Sequence, residues 1–134
     1  DANIDAMTMW LLKNPFNYDV LVAPNLYGDI VSDLCAQMVG GLGFGCSGNI
    51  GAKFAVFEPT HGSAPKHAGK YKANPIATIL AAKMMLDWLG EMDKGRRLES
   101  AVASVIEEGK VRTYDMGGDS STLEMAETIA ARIK

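Results

Sequence analysis

Two stretches of this sequence place side chains capable of chemistry close together. The first is Asn25-Leu26-Tyr27-Gly28-Asp29-Ile30-Val31-Ser32-Asp33. If the segment is helical, Asp29 and Asp33 lie one turn apart on the same face. Like charges at that spacing cost ~0.2–0.5 kcal/mol, so the pair needs solvent or a cation. Mg²⁺ and Mn²⁺ prefer hard oxygen ligands and use only one or two protein carboxylates together with waters and substrate oxygens. The plainer alternative is that Asp29 complements the positive end of the helix dipole while Asp33 faces water.

The second stretch runs Phe57-Glu58-Pro59-Thr60-His61-Gly62-Ser63-Ala64-Pro65-Lys66-His67-Ala68-Gly69-Lys70. A strand running into a glycine-rich loop lets backbone N–H groups approach a ligand closely, and Lys66, His67 and Lys70 offer positive charge to a phosphate. A polar surface loop has much the same composition. However, the sixteen residues from Pro59 to Asn74 are long for a connection, and loops of that length are often functional. The Walker pattern G-x-x-x-x-G-K-S/T is absent, and so is the dinucleotide fingerprint G-x-G-x-x-G. These residues alone give a candidate metal and phosphate binder. Cys35 reads as a core residue, Met84 and Met85 as packing, and Lys94, Arg96 and Arg97 as a solvated helix face.

The elements that must position these residues follow from periodicity. Ile4 to Leu12 reads as a helix with Ile4, Met7 and Leu11 on one face, ended by Asn14-Pro15. Tyr18 to Ala23 is a β-branched run between turn residues, which predicts a buried strand. A second helix spans about Leu26 to Val39, with an apolar stripe of Leu26, Ile30, Leu34 and Met38 and a separate polar face of Asp29, Asp33 and Gln37 at the same spacing. Gly40 to Gly45 is the best candidate for a domain boundary or hinge. Lys53 to Glu58 predicts a strand, and Pro75 opens a helix to about Leu89 that is apolar nearly all round and so should be deeply buried. Leu98, Ala101, Val102, Val105 and Ile106 mark an amphipathic helix. Ser121 and Glu124 form a capping-box pattern before a helix expected to bury Leu123, Ala126, Ile129, Ala130 and Ile133. Alternating helices and strands indicate α/β architecture.

Bulk properties bound the function. The chain has 134 residues, 48% hydrophobic and 22% charged, as in a soluble globular protein with one ordinary core. A formal charge of -3 argues against a nucleic-acid partner, which selects for basic surfaces. No apolar run is long enough to span a membrane. The first residues lack the pattern of a secretory signal, and two cysteines, Cys35 and Cys46, suggest neither a disulfide framework nor a zinc site. A cytoplasmic protein is the expectation.

Taken together, the motifs resemble a known family. Asn25-Leu26-Tyr27-Gly28-Asp29-Ile30 through Ser32-Asp33, then Gly40-Gly41-Leu42-Gly43 and Ser47-Gly48-Asn49-Ile50-Gly51, are similar to the signature of isocitrate and 3-isopropylmalate dehydrogenases. Phe57-Glu58-Pro59-Thr60-His61-Gly62-Ser63-Ala64-Pro65, followed by Ala68-Gly69 and Asn74-Pro75, resembles their adenosine-binding loop. The resemblance runs in register over almost the whole chain. It implies the α/β isocitrate/isopropylmalate dehydrogenase-like fold, a C-terminal portion of an interleaved two-domain subunit. Residues 1–39 would belong to the smaller dimer-forming, metal-binding domain and residues 40–134 to the larger cofactor-binding domain.

The same resemblance implies a site. Asp29 and Asp33 match the helix carboxylates that bind Mg²⁺ or Mn²⁺ with the substrate's hydroxyl and carboxylate oxygens, and Asp5 matches a third carboxylate supplied by the partner subunit of a homodimer with a shared active site. Glu58 matches a position near the nicotinamide ribose, and His61, Gly62, Ser63, Ala64 and Asn74 match the loop around the adenosine half. The family's acid–base Tyr and Lys and its arginine cluster lie upstream of the matching region. The chain is therefore expected to be roughly the last third of a subunit, inactive alone.

Finer expectations rest on single positions. NAD-linked members carry Asp where this chain has Lys66; a lysine cannot accept a bond from a ribose 2′-hydroxyl but can pair with a 2′-phosphate. His67 and Tyr114 match further positions that NADP-linked prokaryotic isocitrate dehydrogenases use around that phosphate. Gly118 stands where those enzymes have Arg, and Met116-Gly117-Gly118 is closer to the NAD-linked pattern. Tyr27 and Gly48-Asn49-Ile50-Gly51 look more like isocitrate dehydrogenases, since isopropylmalate enzymes usually carry Phe at the Tyr27 position. The expected activity is metal-dependent oxidative decarboxylation of isocitrate to 2-oxoglutarate with NADP. The alternatives are a 3-isopropylmalate or homoisocitrate dehydrogenase using NAD, or a non-catalytic regulatory subunit. Such a subunit would be expected to lose metal carboxylates, whereas Asp5, Asp29 and Asp33 are all present.

Overall fold

A computed structural model describes all of residues 1–134. Helix α1 spans Ile4–Lys13 and is followed by one 3₁₀ turn, Pro15–Asn17. As expected, it turns Leu11 inward, with Ile4 and Met7 half-buried beside it. Helix α2, Asn25–Met38, packs against α1. Two short strands follow, β1 (Cys46–Ile50) and β2 (Ala55–Pro59). They pair antiparallel in the register Cys46 to Pro59 through Ile50 to Ala55. Helix α3 (Ile76–Trp88) lies on both strands, α4 (Met92–Glu108) packs on α3, and α5 (Thr122–Ala130) packs on α4.

The core sits among the last three helices. Ile76, Ala101, Val102, Val105, Met125 and Ile129 form one buried cluster, with Phe44, Ile79, Leu80, Val111 and Met116 packed around it. Burying a side chain the size of Ile129 or Met125 stabilises the fold by ~1.5–3 kcal/mol relative to leaving it exposed. Trp88 at the end of α3 packs on Phe57 of β2, ring centroids 6.3 Å apart. Lys83 on α3 forms ion pairs with Asp87 at 3.0 Å and with Glu99 of α4 at 3.1 Å, and those bonds hold its ammonium above the usual lysine range. Gly109 ends α4 in the left-handed conformation, its N–H donating to the Val105 carbonyl, a common helix stop. Ser121 caps α5 by accepting from the Glu124 N–H at 3.1 Å.

Several expectations fail. Tyr18 to Ala23 is not a strand: it runs unpaired across the surface, with Val20 82% and Val22 97% exposed. A strand requires a partner for its backbone N–H and C=O groups, and this segment has none in the chain. Strand β1 was not anticipated, because Cys46-Ser47-Gly48-Asn49-Ile50 lacks the alternation that marks a half-buried strand. The stripe expected on α2 is largely open: Leu26, Ile30 and Met38 are exposed, and the helix instead turns Val31, Cys35 and Ala36 inward. Helix α3 buries Ile76, Ala77 and Ala81 but leaves Met85 and Trp88 exposed, so it is not deeply buried throughout. On α5 the inward residues are Met125 and Ile129, while Leu123, Ala130 and Ile133 face out.

Candidate functional site

Asp29 and Asp33 lie on one face of α2, exposed and one turn apart. The first turn of α2 contains no acidic residue, so Asp29 sits beyond the reach at which the helix N-terminus rewards a negative charge. The dipole explanation of this residue therefore weakens. Asp5 is in the first turn of α1 and exposed. None of the three carboxylates forms an ion pair within the chain. No group of three acidic, histidine or cysteine side chains in the chain is close enough to hold a metal. Asp5 thus does not join the α2 pair within one copy. A cleft of about 1330 Å³ between α1 and α2 is lined by Asp5, Tyr27 and Ser32 among others, without Asp29 or Asp33.

The loop after β2 is tied to α2 through the glycine-rich segment. The Gly45 carbonyl accepts from Thr60 twice, from N–H at 3.0 Å and from Oγ1 at 2.7 Å. A Cβ at Gly45 would lie 2.3 Å from Thr60 Oγ1 and 3.0 Å from the Ala36 methyl, so only glycine lets α2 and the loop approach here. On β2, Glu58 accepts from Asn49 Nδ2 at 3.1 Å, a bond between the paired strands. His61 Nδ1 lies 2.9 Å from the Gly62 carbonyl oxygen, and residues Gly62 to Lys70 are all exposed.

Ala64 adopts the left-handed region, φ 43°, ψ 60°. A non-glycine residue there costs of order 1–3 kcal/mol and tends to mark a functional loop. It turns the chain into a single 3₁₀ turn, Pro65–His67, which carries Lys66 and His67. His67 stacks on Tyr114, centroids 5.8 Å apart and planes 16° from parallel. Tyr114 belongs to another 3₁₀ turn, Tyr114–Met116. Tertiary structure thus joins two of the expected cofactor residues that are distant in the chain.

Asn74 behaves differently from its neighbours on the loop. It is only 5% exposed, and its side chain is engaged within the protein: Oδ1 accepts from the Ile76 N–H at the start of α3, and Nδ2 donates to Asp115 Oδ2, both at 3.0 Å. Sequence reasoning passed over that partner, Asp115, and also Thr113, which is fully buried and donates its hydroxyl to Asp115 Oδ1. The available signal was the neighbourhood of Tyr114 in Arg112-Thr113-Tyr114-Asp115; the pairing itself spans 41 positions and leaves no local pattern.

The profile of the isocitrate/isopropylmalate dehydrogenase family matches residues 1–129. An isocitrate/homoisocitrate dehydrogenase of Thermus thermophilus is 52% identical over 134 residues, all of this chain and 40% of that protein. A mitochondrial protein of Caenorhabditis elegans described as a probable NAD isocitrate dehydrogenase subunit alpha is 47% identical over 134 residues, all of this chain and 37% of its own length. The crystal structure of isocitrate dehydrogenase from Methylococcus capsulatus superposes with a TM-score of 0.93 at 49% identity, covering 99% of this chain and 40% of that one. The chain spans about 40% of the length of the relatives it matches.

Proposed function

Because the chain belongs to the isocitrate/isopropylmalate dehydrogenase family, we propose that it supplies the metal carboxylates and the nucleotide loop of an enzyme that oxidatively decarboxylates isocitrate to 2-oxoglutarate with NADP. The observation that carries this reading beyond the family is the stacked pair His67 and Tyr114 beside Lys66. Lys66 is exposed and in no ion pair, and its ammonium can donate to a 2′-phosphate but cannot accept from a ribose hydroxyl.

The donors fit a hard divalent cation. Asp29 and Asp33 are exposed carboxylates on one face of α2 with no competing cation in the chain. Magnesium and manganese sites commonly use one or two protein carboxylates, completed by waters and substrate oxygens. In this reading Asp5 of a second copy joins them, so the active site is shared across a homodimer. A bound cation supplies Lewis acidity toward the hydroxyl oxygen of the substrate. Asp29 and Asp33 neutralise and orient it, Glu58 lies toward the nicotinamide ribose, and His61, Gly62, Ser63 and Ala64 wrap the adenosine. Asn74 serves that wrap through its backbone, since its side chain is engaged with Ile76 and Asp115.

Residues 1–39 are assigned to the smaller dimer-forming domain and residues 40–134 to the larger one. The exposed Leu26, Tyr27, Ile30, Phe16 and Val22 form apolar surface that calls for a cover, from the rest of the subunit or from a second copy. No helix is long and apolar enough to cross a membrane, and a cytoplasmic location accompanies the reading.

A second reading, an NAD-linked 3-isopropylmalate or homoisocitrate dehydrogenase, is favoured by Gly118. A Cβ there would lie 2.2 Å from the Arg112 carbonyl oxygen, so this loop cannot carry the arginine that NADP-linked relatives of the resemblance place there. The experiment is a steady-state assay of the full-length parent with Mn²⁺, crossing isocitrate and 3-isopropylmalate with NADP and NAD. Turnover confined to isocitrate and NADP is expected. Preference for 3-isopropylmalate with NAD would overturn the assignment at Tyr27, Lys66, His67 and Tyr114 while leaving Asp29 and Asp33 in place.

A further inference from the structure

Tyr114 is exposed, and its ring stacks on His67, which is itself on an exposed loop. Two such side chains hold a defined stack only if something fixes the segments that carry them. The turn bearing Tyr114 is fixed by its neighbour. Asp115 accepts from the buried Thr113 hydroxyl through Oδ1 and from the buried Asn74 amide through Oδ2, the latter at 3.0 Å. Asn74 is in turn fixed to the first N–H of α3. Gly43 closes the node: its carbonyl accepts from the Ala77 N–H at 2.9 Å, and a Cβ on it would lie 2.3 Å from Asp115 Oδ2. A second clip holds the same strap further on, where Thr122 donates from its N–H to the Tyr71 carbonyl and from its hydroxyl to the Ala73 carbonyl.

We infer that Asp115 is a positioning residue for nucleotide binding: by tying the Tyr114 turn to Asn74, it holds the Tyr114 ring over His67 so that the pair is formed before the cofactor arrives. This inference rests on the proposed role of His67 and Tyr114 at the nucleotide. The carboxylate's hydrogen bonds go to Asn74 and Thr113, and it acts through the backbone of its own turn. Charge-assisted bonds from one carboxylate to two partners set the population of a held loop by about tenfold or more. A binding-competent state that is only partly populated weakens apparent affinity by the same factor.

The test is kinetic, on the full-length parent enzyme. Asp115→Ala is expected to raise the KM for the nucleotide about tenfold, with kcat and the isocitrate KM within about twofold. Asp115→Asn retains one acceptor oxygen and should fall between, and it carries the comparison if the alanine variant does not fold. Combined with Tyr114→Ala, Asp115→Ala should add nothing, because it acts through that ring. Additive effects in the double variant, or equal changes in kcat and the isocitrate KM, would overturn the positioning role. If Tyr114→Ala weakens nucleotide binding and Asp115→Ala does not, only this inference is lost. If Tyr114→Ala leaves the nucleotide KM unchanged, the assignment of Tyr114 to the cofactor falls, and the role of Asp115 falls with it.

Discussion

Replacing Gly43 by alanine tests the node that joins the glycine-rich segment, the start of α3 and the Tyr114 turn. The new methyl carbon would lie 2.3 Å from Asp115 Oδ2 and 3.0 Å from Asn74 Cβ and Nδ2. Non-bonded heavy atoms settle at about 3.5–4.0 Å, so the carboxylate must retreat by roughly 1 Å. The Asn74–Asp115 bond, now 3.0 Å, would then stretch beyond hydrogen-bonding distance. Overpacking costs ~1–3 kcal/mol, and a hydrogen bond to a charged acceptor contributes ~1.5–3 kcal/mol. Water can replace part of the lost bond, because Asp115 is exposed on one side. Alanine also restricts the unfolded chain, returning ~0.4–1 kcal/mol. The net expectation is a loss of about 2–3 kcal/mol, which moves a urea midpoint down by roughly 1–2 M. The control is Gly62→Ala, where no atom lies within 4 Å of the added carbon; its midpoint should stay level or rise slightly. Both variants of the intact protein are compared by far-UV circular dichroism in urea. A Gly43→Ala midpoint equal to that of Gly62→Ala would refute the reasoning.

Three further outcomes follow from the same geometry. Asp29→Asn should weaken Mn²⁺ binding and activity of the full-length enzyme together; wild-type affinity in a calorimetric titration would remove Asp29 from the metal site. Val105→Ala, in the buried cluster of α3, α4 and α5, should cost ~1–3 kcal/mol by lost burial and cavity formation, and a loss below about 0.5 kcal/mol would show that this cluster is not the stabilising core. Lys110 and Arg132 bond to Glu108 and hold its carboxyl below the usual glutamate range. Its folded value is depressed, so its contribution is present above the unfolded value, about 4.3, and is lost as pH falls through the depressed one. Glu108→Gln should therefore flatten the stability profile on the acid side only, and an unchanged acid limb would contradict the pairing.

The sequence by itself determined the helices, because apolar periodicity and caps are local signals. The 3.6-residue repeat from Leu98 to Val105, the Ser121 cap and the inward face of Ile4, Met7 and Leu11 all appear in the structure as read. The long motifs around Asp29 and His61 likewise carry the family resemblance, and the family match bears it out. What a segment touches is not encoded in its own pattern. Tyr18 to Ala23 has the composition of a strand but no partner to accept its hydrogen bonds, while β1 pairs despite a sequence that lacks alternation. The stripe of Leu26, Ile30 and Met38 is apolar yet faces out, because burial depends on what covers a face. The same holds at the site. Lys66 and His67 were legible in their loop, but the stack on Tyr114 and the Asn74–Asp115 bond that supports it join positions far apart in the chain. Only the tertiary fold brings those groups within bonding distance, and hydrogen bonds and ring stacking act only over a few ångströms.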